Sequence, residues 1–123
     1  MTLTAERFRS GKTIEEYLTY IGTQENLERE AGWWLGSQRK DWSGILRAWY
    51  EGLELSDAQI GAVRWLAAQP NGPAKILVIS EEWSSDCRRD VPMLGRLAEA
   101  GGLELRIFPR DGRTSRRCSR FTR

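Results

Sequence analysis

The sequence predicts an α/β fold class, in which a βαβ unit follows an α-helical N-terminal region. Two apolar runs of strand length, KILVIS at residues 75–80 and LELRIF at residues 103–108, flank a helical pattern. That pattern covers residues 87–102 and ends in two glycines, which commonly terminate helices. Strands joined by a crossover helix are parallel, and the crossover is expected to be right-handed.

The first 70 residues are predicted to be helical, without a strand. Three threonine or serine residues are placed to cap helices, and two of them form capping boxes with the residue three positions later. These N-caps are Thr13 with Glu16, Ser56 with Gln59, and Thr23. The helix that begins at Ser56 is expected to end near Pro70, because proline cannot continue a helix.

A further helix is predicted between residues 41 and 53, where apolar residues recur at helical spacing. Its predicted apolar face consists of Trp42, Ile45, Leu46, Trp49 and Leu53. Tryptophans on such faces stack nucleic-acid bases, form ligand cages or fill the core, and core filling is favoured here for Trp42, Trp49 and Trp65. Adjacent Trp33 and Trp34 cannot share a helix face, so one of them is expected at a contact surface or exposed.

Composition is that of a one-domain soluble protein, with 123 residues, 40% hydrophobic and 29% charged. The absence of histidine excludes histidine-based metal sites and serine-hydrolase triads, so no metal and no cofactor is predicted. No run is long enough to span a membrane, and the N-terminus lacks a signal-peptide segment. Two cysteines do not make a disulfide framework, so a reducing, cytoplasmic location is expected.

One of the two cysteines, Cys87, lies where the first predicted strand turns into the helix. Unpaired N–H groups in the first turn of a helix favour a thiolate, and Arg88 and Arg89 assist. Asp86 and the acids at 81 and 82 disfavour a thiolate, so the sequence does not decide whether the thiolate of Cys87 is favoured overall. The alternative is a small buried hydrophobic residue without chemistry.

The segment VISEEWSSDCRRDVPMLGRLAEA resembles the active-site segment of the thioredoxin family, in particular bacterial thioredoxin-like proteins with a helical N-terminal extension. In that family an apolar strand precedes Trp-Cys-x-x-Cys and a helix that contains a proline. Trp83 corresponds to the tryptophan, Cys87 to the second cysteine, Asp86 to the acid before it and Pro92 to the helix proline. The resemblance covers about residues 73–110 and implies an incomplete thioredoxin fold.

The sequence also departs from the family pattern at the reacting positions. Ser84 stands where the family has its nucleophilic cysteine, and a serine hydroxyl cannot form a mixed disulfide. Val78 stands where the family often has an acid on the strand. Dithiol reductase chemistry is therefore not expected. At most, the resemblance implies monothiol chemistry at Cys87, with Trp83 shielding the site and Ser84 and Ser85 offering hydroxyl groups.

The C-terminal half of the family's fold, including its cis-proline loop, has no counterpart in the sequence. Residues 112–123 form a basic tail that is predicted to be disordered. From position 106 to position 123 the sequence contains seven arginines and one acid. Such an arm can bind nucleic acid or acidic partners. We favour the alternative that family-like sequence stops near Asp111, as after a truncation or frameshift, so that Cys118 is an ordinary exposed thiol.

The predicted organisation is a helical extension at 1–70, a thioredoxin-like βαβ segment at 73–111 and the tail. The leading functional hypothesis is a protein of thiol–disulfide oxidoreductase lineage, whose partner is a protein disulfide or a low-molecular-weight thiol. The alternative is a non-catalytic module that binds a protein or peptide. Nucleic acid ranks last as a partner, a membrane is not expected, and an open strand edge invites pairing with a second copy.

Overall fold

A computed structural model describes residues 2–33 and 40–110, with only the backbone of residues 30–33. Trp33 and Trp34, residues 112–123 and Cys118 therefore lie outside the residues whose side chains are described. Within the described ranges there are six helices and two strands. They are α1 Ala5–Arg9, α2 Ile14–Tyr20, α3 Gln24–Trp33, α4 Ser43–Gly52, α5 Asp57–Ala68, β1 Lys75–Ile79, α6 Ser85–Gly101 and β2 Glu104–Phe108.

The two strands pair in parallel and are joined by α6, which confirms the predicted βαβ unit. Lys75 pairs with Glu104 and Ile79 with Phe108 at the two ends of the ladder. Gly102 caps α6 in the left-handed conformation, with φ at 67°. Residues with a side chain are strained there, so the predicted glycine stop has a direct backbone cause.

The two edges of this small sheet differ. On the outer edge of β2, Lys12 forms an antiparallel bridge with Ile107, with N–H···O distances of 2.9 and 2.7 Å. Among the described residues, β1 has no neighbour on its other side. The predicted open edge is therefore the edge of β1.

Helix α6 lies at the centre of the packing, with α4 and α5 against it. Gly95 lets α2 and α4 approach α6 closely, because a Cβ atom there would lie 3.0 Å from Ile14 Cγ1 and 3.3 Å from Tyr50 Cε2. The buried cluster contains Tyr17, Leu18, Ile21, Leu46, Tyr50, Val91, Ala98, Leu105 and Ile107. The core thus joins the N-terminal helices and the βαβ unit into one hydrophobic cluster.

The predicted N-caps are present in the structure. Thr13 and Ser56 each form a complete capping box, and Thr23 Oγ1 accepts a hydrogen bond from the N–H of Asn26 at 3.3 Å. Helix α1 was not predicted, because its five residues are too few to show a periodic pattern.

The predicted apolar face of α4 and the core role of the tryptophans were wrong in part. Leu46 is fully buried and Trp42 packs half-buried against the core, but Ile45 and Trp49 are 44% and 53% exposed. Trp65 on α5 is 64% exposed. Because α4 packs chiefly against a single helix, only a narrow stripe of its apolar face is covered.

Trp65 is exposed because α5 packs along one side of α6 and has no buried residue. Its half-buried positions, Ile60, Val63 and Ala67, form the contact stripe. None of the helices in the described ranges is long and apolar enough to cross a membrane.

Candidate active site at the β1–α6 turn

Residues 80–84 form a tight turn between β1 and α6. The Ser80 N–H donates to the Phe108 carbonyl at 2.9 Å, which extends the strand ladder by one bond. The Ser84 N–H donates to the Glu81 carbonyl at 3.0 Å, and the Arg88 N–H donates to the Ser84 carbonyl at 3.0 Å. These bonds place Ser84 at the N-cap of α6 and Cys87 in its first turn.

The predicted reacting residues lie together on this first turn. Cys87 is half-buried and packs against the core cluster, whereas Ser85 and Asp86 are exposed. Ser84 is half-buried, and its hydroxyl makes no capping hydrogen bond to the helix. The amide groups of the first turn therefore have no side-chain acceptor from the N-cap, unlike those of α2 and α5.

The supporting residues of the predicted motif have structural contacts. Pro92 is buried inside α6, and Trp83 is half-buried beside the turn. Arg88 donates to the carbonyl oxygens of Glu82 and Trp83 at 2.9 and 2.7 Å. Its guanidinium also lies 3.6 Å from the ring centre of Trp42, so Arg88 fixes the turn against the start of α4.

Two adjacent acids in the turn, Glu81 and Glu82, are buried, with 5% and 1% exposure. Glu81 receives two hydrogen bonds from the Arg29 guanidinium, at 3.0 and 2.8 Å. It also accepts the Arg110 N–H at 2.9 Å. Burial alone would lower the pKa of Arg29, but the bond to Glu81 raises it overall, so Arg29 keeps its charge.

Glu82 is held by the same helix through Asn26. The Asn26 side-chain amide donates to Glu82 Oε1 and, at 3.0 Å, to the Ile21 carbonyl. Its carbonyl oxygen accepts from Arg29 at 3.0 Å, which links the two acids into one network. Glu82 Oε2 is buried without a hydrogen-bond partner among the described residues.

A buried hydroxyl pair joins α2 to the start of the turn. Tyr17 Oη lies 2.9 Å from Ser80 Oγ. Burial raises the pKa of the Tyr17 phenol far above its ordinary value, although the hydrogen bond with Ser80 opposes the shift. The nearby carboxylates of Glu82 and Glu81 raise it further, so the phenol stays protonated beside the site.

Sequence reasoning treated Glu81 and Glu82 only as charges that oppose a thiolate, and it missed Asn26, Arg29, Tyr17 and Ser80. One signal was available, because two acids directly after an apolar strand lie at the carboxyl end of that strand, beside the cysteine. Their partners lie more than 50 residues earlier on α3, and no periodicity links the two segments.

The family model described as Thioredoxin matches residues 35–122, which is well over half of the chain. The chain belongs to the thioredoxin family. The match supports the resemblance carried by Trp83, Cys87 and Pro92, and the small parallel sheet with its N-terminal helices is compatible with an incomplete thioredoxin fold. Neither the curated proteins nor the solved structures contain a match to this chain.

Membership of the thioredoxin family does not fix the chemistry of this turn. The roles of Cys87 and Ser84 stay predictions that the resemblance implies. Val78, where the family often has an acid, is a half-buried strand residue on β1. The buried acids of this chain instead follow the strand, at positions 81 and 82.

Proposed function

We propose that this thioredoxin-family protein captures protein disulfides, or the disulfides of low-molecular-weight thiols, through a single thiol, Cys87. The observation that carries the proposal is the position of this half-buried cysteine in the first turn of α6, on a turn held by buried hydrogen bonds. A thiol there is within reach of a small disulfide without unfolding of the helix. The proposed setting is the reducing cytoplasm of a bacterium, since two cysteines provide no structural disulfide framework.

The proposed reaction is one thiol–disulfide exchange. The Cys87 thiolate attacks one sulfur of a disulfide RS–SR, the Cys87–SR bond forms, and RS⁻ leaves and takes a proton from water. Ser84 cannot resolve the adduct, so a second thiol from solution must attack it and release Cys87. The role of Trp83 is to shield the thiol, and that of Ser84 and Ser85 is to offer hydroxyl groups to the bound partner.

The test uses the full chain with Cys118→Ser, which leaves Cys87 as the only thiol. Incubation with glutathione disulfide should add one glutathionyl group to the native protein, and excess glutathione should remove it. Intact-protein mass spectrometry measures both steps. The Cys87→Ser variant, which retains Cys118, reports the rate at an ordinary thiol. An adduct that forms at Cys87 only in denaturant would contradict the proposal.

A non-catalytic binding module is the second candidate, and the packing of Cys87 against the core cluster favours it. In that case the fold would present a surface to a protein or peptide without thiol chemistry. Partner binding that is unchanged by Cys87→Ala would support this candidate over the first.

A further inference from the structure

The backbone of β1 has its hydrogen-bonding groups divided between two sides. The Ala74 carbonyl accepts from the Glu104 N–H at 3.0 Å, and the Ser80 N–H donates to the Phe108 carbonyl at 2.9 Å. Residues on a parallel strand alternate in the side to which they bond. Ile76 and Val78 therefore bond to β2, as Ala74 and Ser80 do. The N–H and C=O groups of Lys75, Leu77 and Ile79 point to the open edge.

The side chains of these same three residues lie on the exposed face of the sheet. Leu77 is 40% and Ile79 is 64% exposed, although both are large and apolar. An edge strand with free backbone groups and apolar side chains is a template for another strand, and proteins usually protect it with charges, proline or a bulge. Among Leu77, Val78 and Ile79 there is no such protection.

We infer that this edge of β1 binds the same edge of a second copy of this chain, in an antiparallel arrangement. With Leu77 on the two-fold axis, Leu77 faces Leu77 of the second copy and Lys75 faces Ile79. The three outward-facing residues then form three hydrogen-bonded pairs, which gives about six N–H···O bonds. The result is a continuous sheet in the order β2–β1–β1–β2.

Charge and topology favour a second copy as the occupant. The only charged residue on the edge, Lys75, comes opposite an isoleucine, so no like charges meet. The outer edge of β2 is already bonded to Lys12, so among the described residues only one edge of the sheet can pair. Association through one edge closes as a dimer and does not continue into a filament.

The chain's own residues 111–123 are the competing occupant. They contain five arginines and one large apolar residue, Phe121. Such a segment offers few apolar contacts to Leu77 and Ile79, and its positive charge is repelled by Lys75. The dimer through β1 joins only two short strands, and its interface is smaller than a standard one of about 1,600 Å². We therefore expect weak, reversible dimerisation in the micromolar to millimolar range.

In the antiparallel dimer, the carboxyl end of each β1 lies beside the amino end of the other. The two β1–α6 turns then lie at opposite ends of the joint sheet, and each stays accessible. The inference is independent of the chemistry proposed for Cys87, because it depends only on β1.

Sedimentation velocity of the full chain over increasing concentration tests the dimer. The Leu77→Lys and Leu77→Glu variants each place like charges together on the axis, and each should weaken dimerisation by about tenfold or more. An equimolar mixture of the two should restore a dimer. Leu66→Lys is the matched control, because Leu66 is a similarly exposed leucine on α5.

Amide hydrogen exchange tests the arrangement itself. On raising the wild-type concentration, the amides of Lys75, Leu77 and Ile79 should exchange about tenfold more slowly, while Ile76 and Val78 are protected throughout. A chain that stays monomeric at every concentration would overturn the inference, as would a mixture of variants that restores nothing. Deletion of residues 112–123 that converts a monomer into a dimer would assign the edge to the tail instead.

Discussion

The β1–α6 turn, taken together with the first helical turn of α6, has two halves that are built differently. The first half, residues 80–82, is buried, and each of its side chains is hydrogen-bonded to an N-terminal helix. The second half, residues 84–87, is half-buried or exposed, and its N-cap serine makes no capping bond. The shape of the turn therefore depends on its first half, whereas the chemistry that we propose depends on its second half.

This difference explains how a serine can be accommodated at position 84, which the resemblance aligns with the nucleophilic cysteine of the thioredoxin family. No described hydrogen bond of the turn uses the Ser84 side chain, so a change of residue there costs the fold little. Loss of a partner of Glu81 or Glu82 leaves a buried charge without compensation. Substitutions in the first half should thus change stability, and substitutions in the second half should change chemistry.

The largest expected effect is that of Arg29→Ala, which leaves the buried Glu81 carboxylate without its cation. Breaking a buried pair in this way costs about 3–5 kcal/mol. Urea unfolding should show this loss. The control is Arg47→Ala, which removes the exposed pairs with Glu15 and Glu51 and should cost about 1 kcal/mol or less. Equal losses in the two variants would mean that the turn is not held by this pair.

Tyr17→Phe should have a smaller effect, of about 1 kcal/mol at neutral pH, because it removes only the hydrogen bond with Ser80. The folded-state pKa of Tyr17 is raised above its ordinary value of 10.0. The free energy of unfolding of the wild type should therefore decrease as pH rises above 10.0. In that range the phenol ionises in the unfolded chain and stays protonated in the folded one.

Urea unfolding of both proteins on either side of that pH measures the difference. In the Tyr17→Phe variant, the part of the alkaline decrease in the free energy of unfolding that Tyr17 causes should be absent. An alkaline loss of the same size in both proteins would show that Tyr17 does not cause it.

The smallest expected effect in the turn is that of Ser84→Ala, with a change of about 0.5 kcal/mol or less. Its matched control is Ser56→Ala at the N-cap of α5, where the serine does make a capping bond and the loss should be about 1 kcal/mol. Thermal unfolding of the two variants gives the comparison. A loss at Ser84 that equals the loss at Ser56 would show that the second half of the turn also supports the fold.

Local patterns predicted much of the fold. The βαβ unit, the two capping boxes and the glycine stop of α6 each depend on residues close together in sequence, and each is present. The exposure of Trp49 and Trp65 could not be predicted, since it depends on which helices cover α4 and α5. The partners of Glu81 and Glu82 were also missed, because burial of an acid depends on distant residues such as Asn26 and Arg29.

The resemblance to the thioredoxin family implies that this turn keeps the shape of the family's active site and lacks one of its two sulfur atoms. The most direct measurement equilibrates the Ser84→Cys variant, in a Cys118→Ser background, with mixtures of glutathione and its disulfide. We predict a reversible intramolecular disulfide between position 84 and Cys87, in which two thiols give two electrons and two protons to glutathione disulfide. The variant should also reduce a protein disulfide with dithiothreitol as the electron source, which the wild type should not do. A folded variant that yields only mixed glutathione adducts would contradict the claim, because the turn would not hold the two positions at disulfide distance.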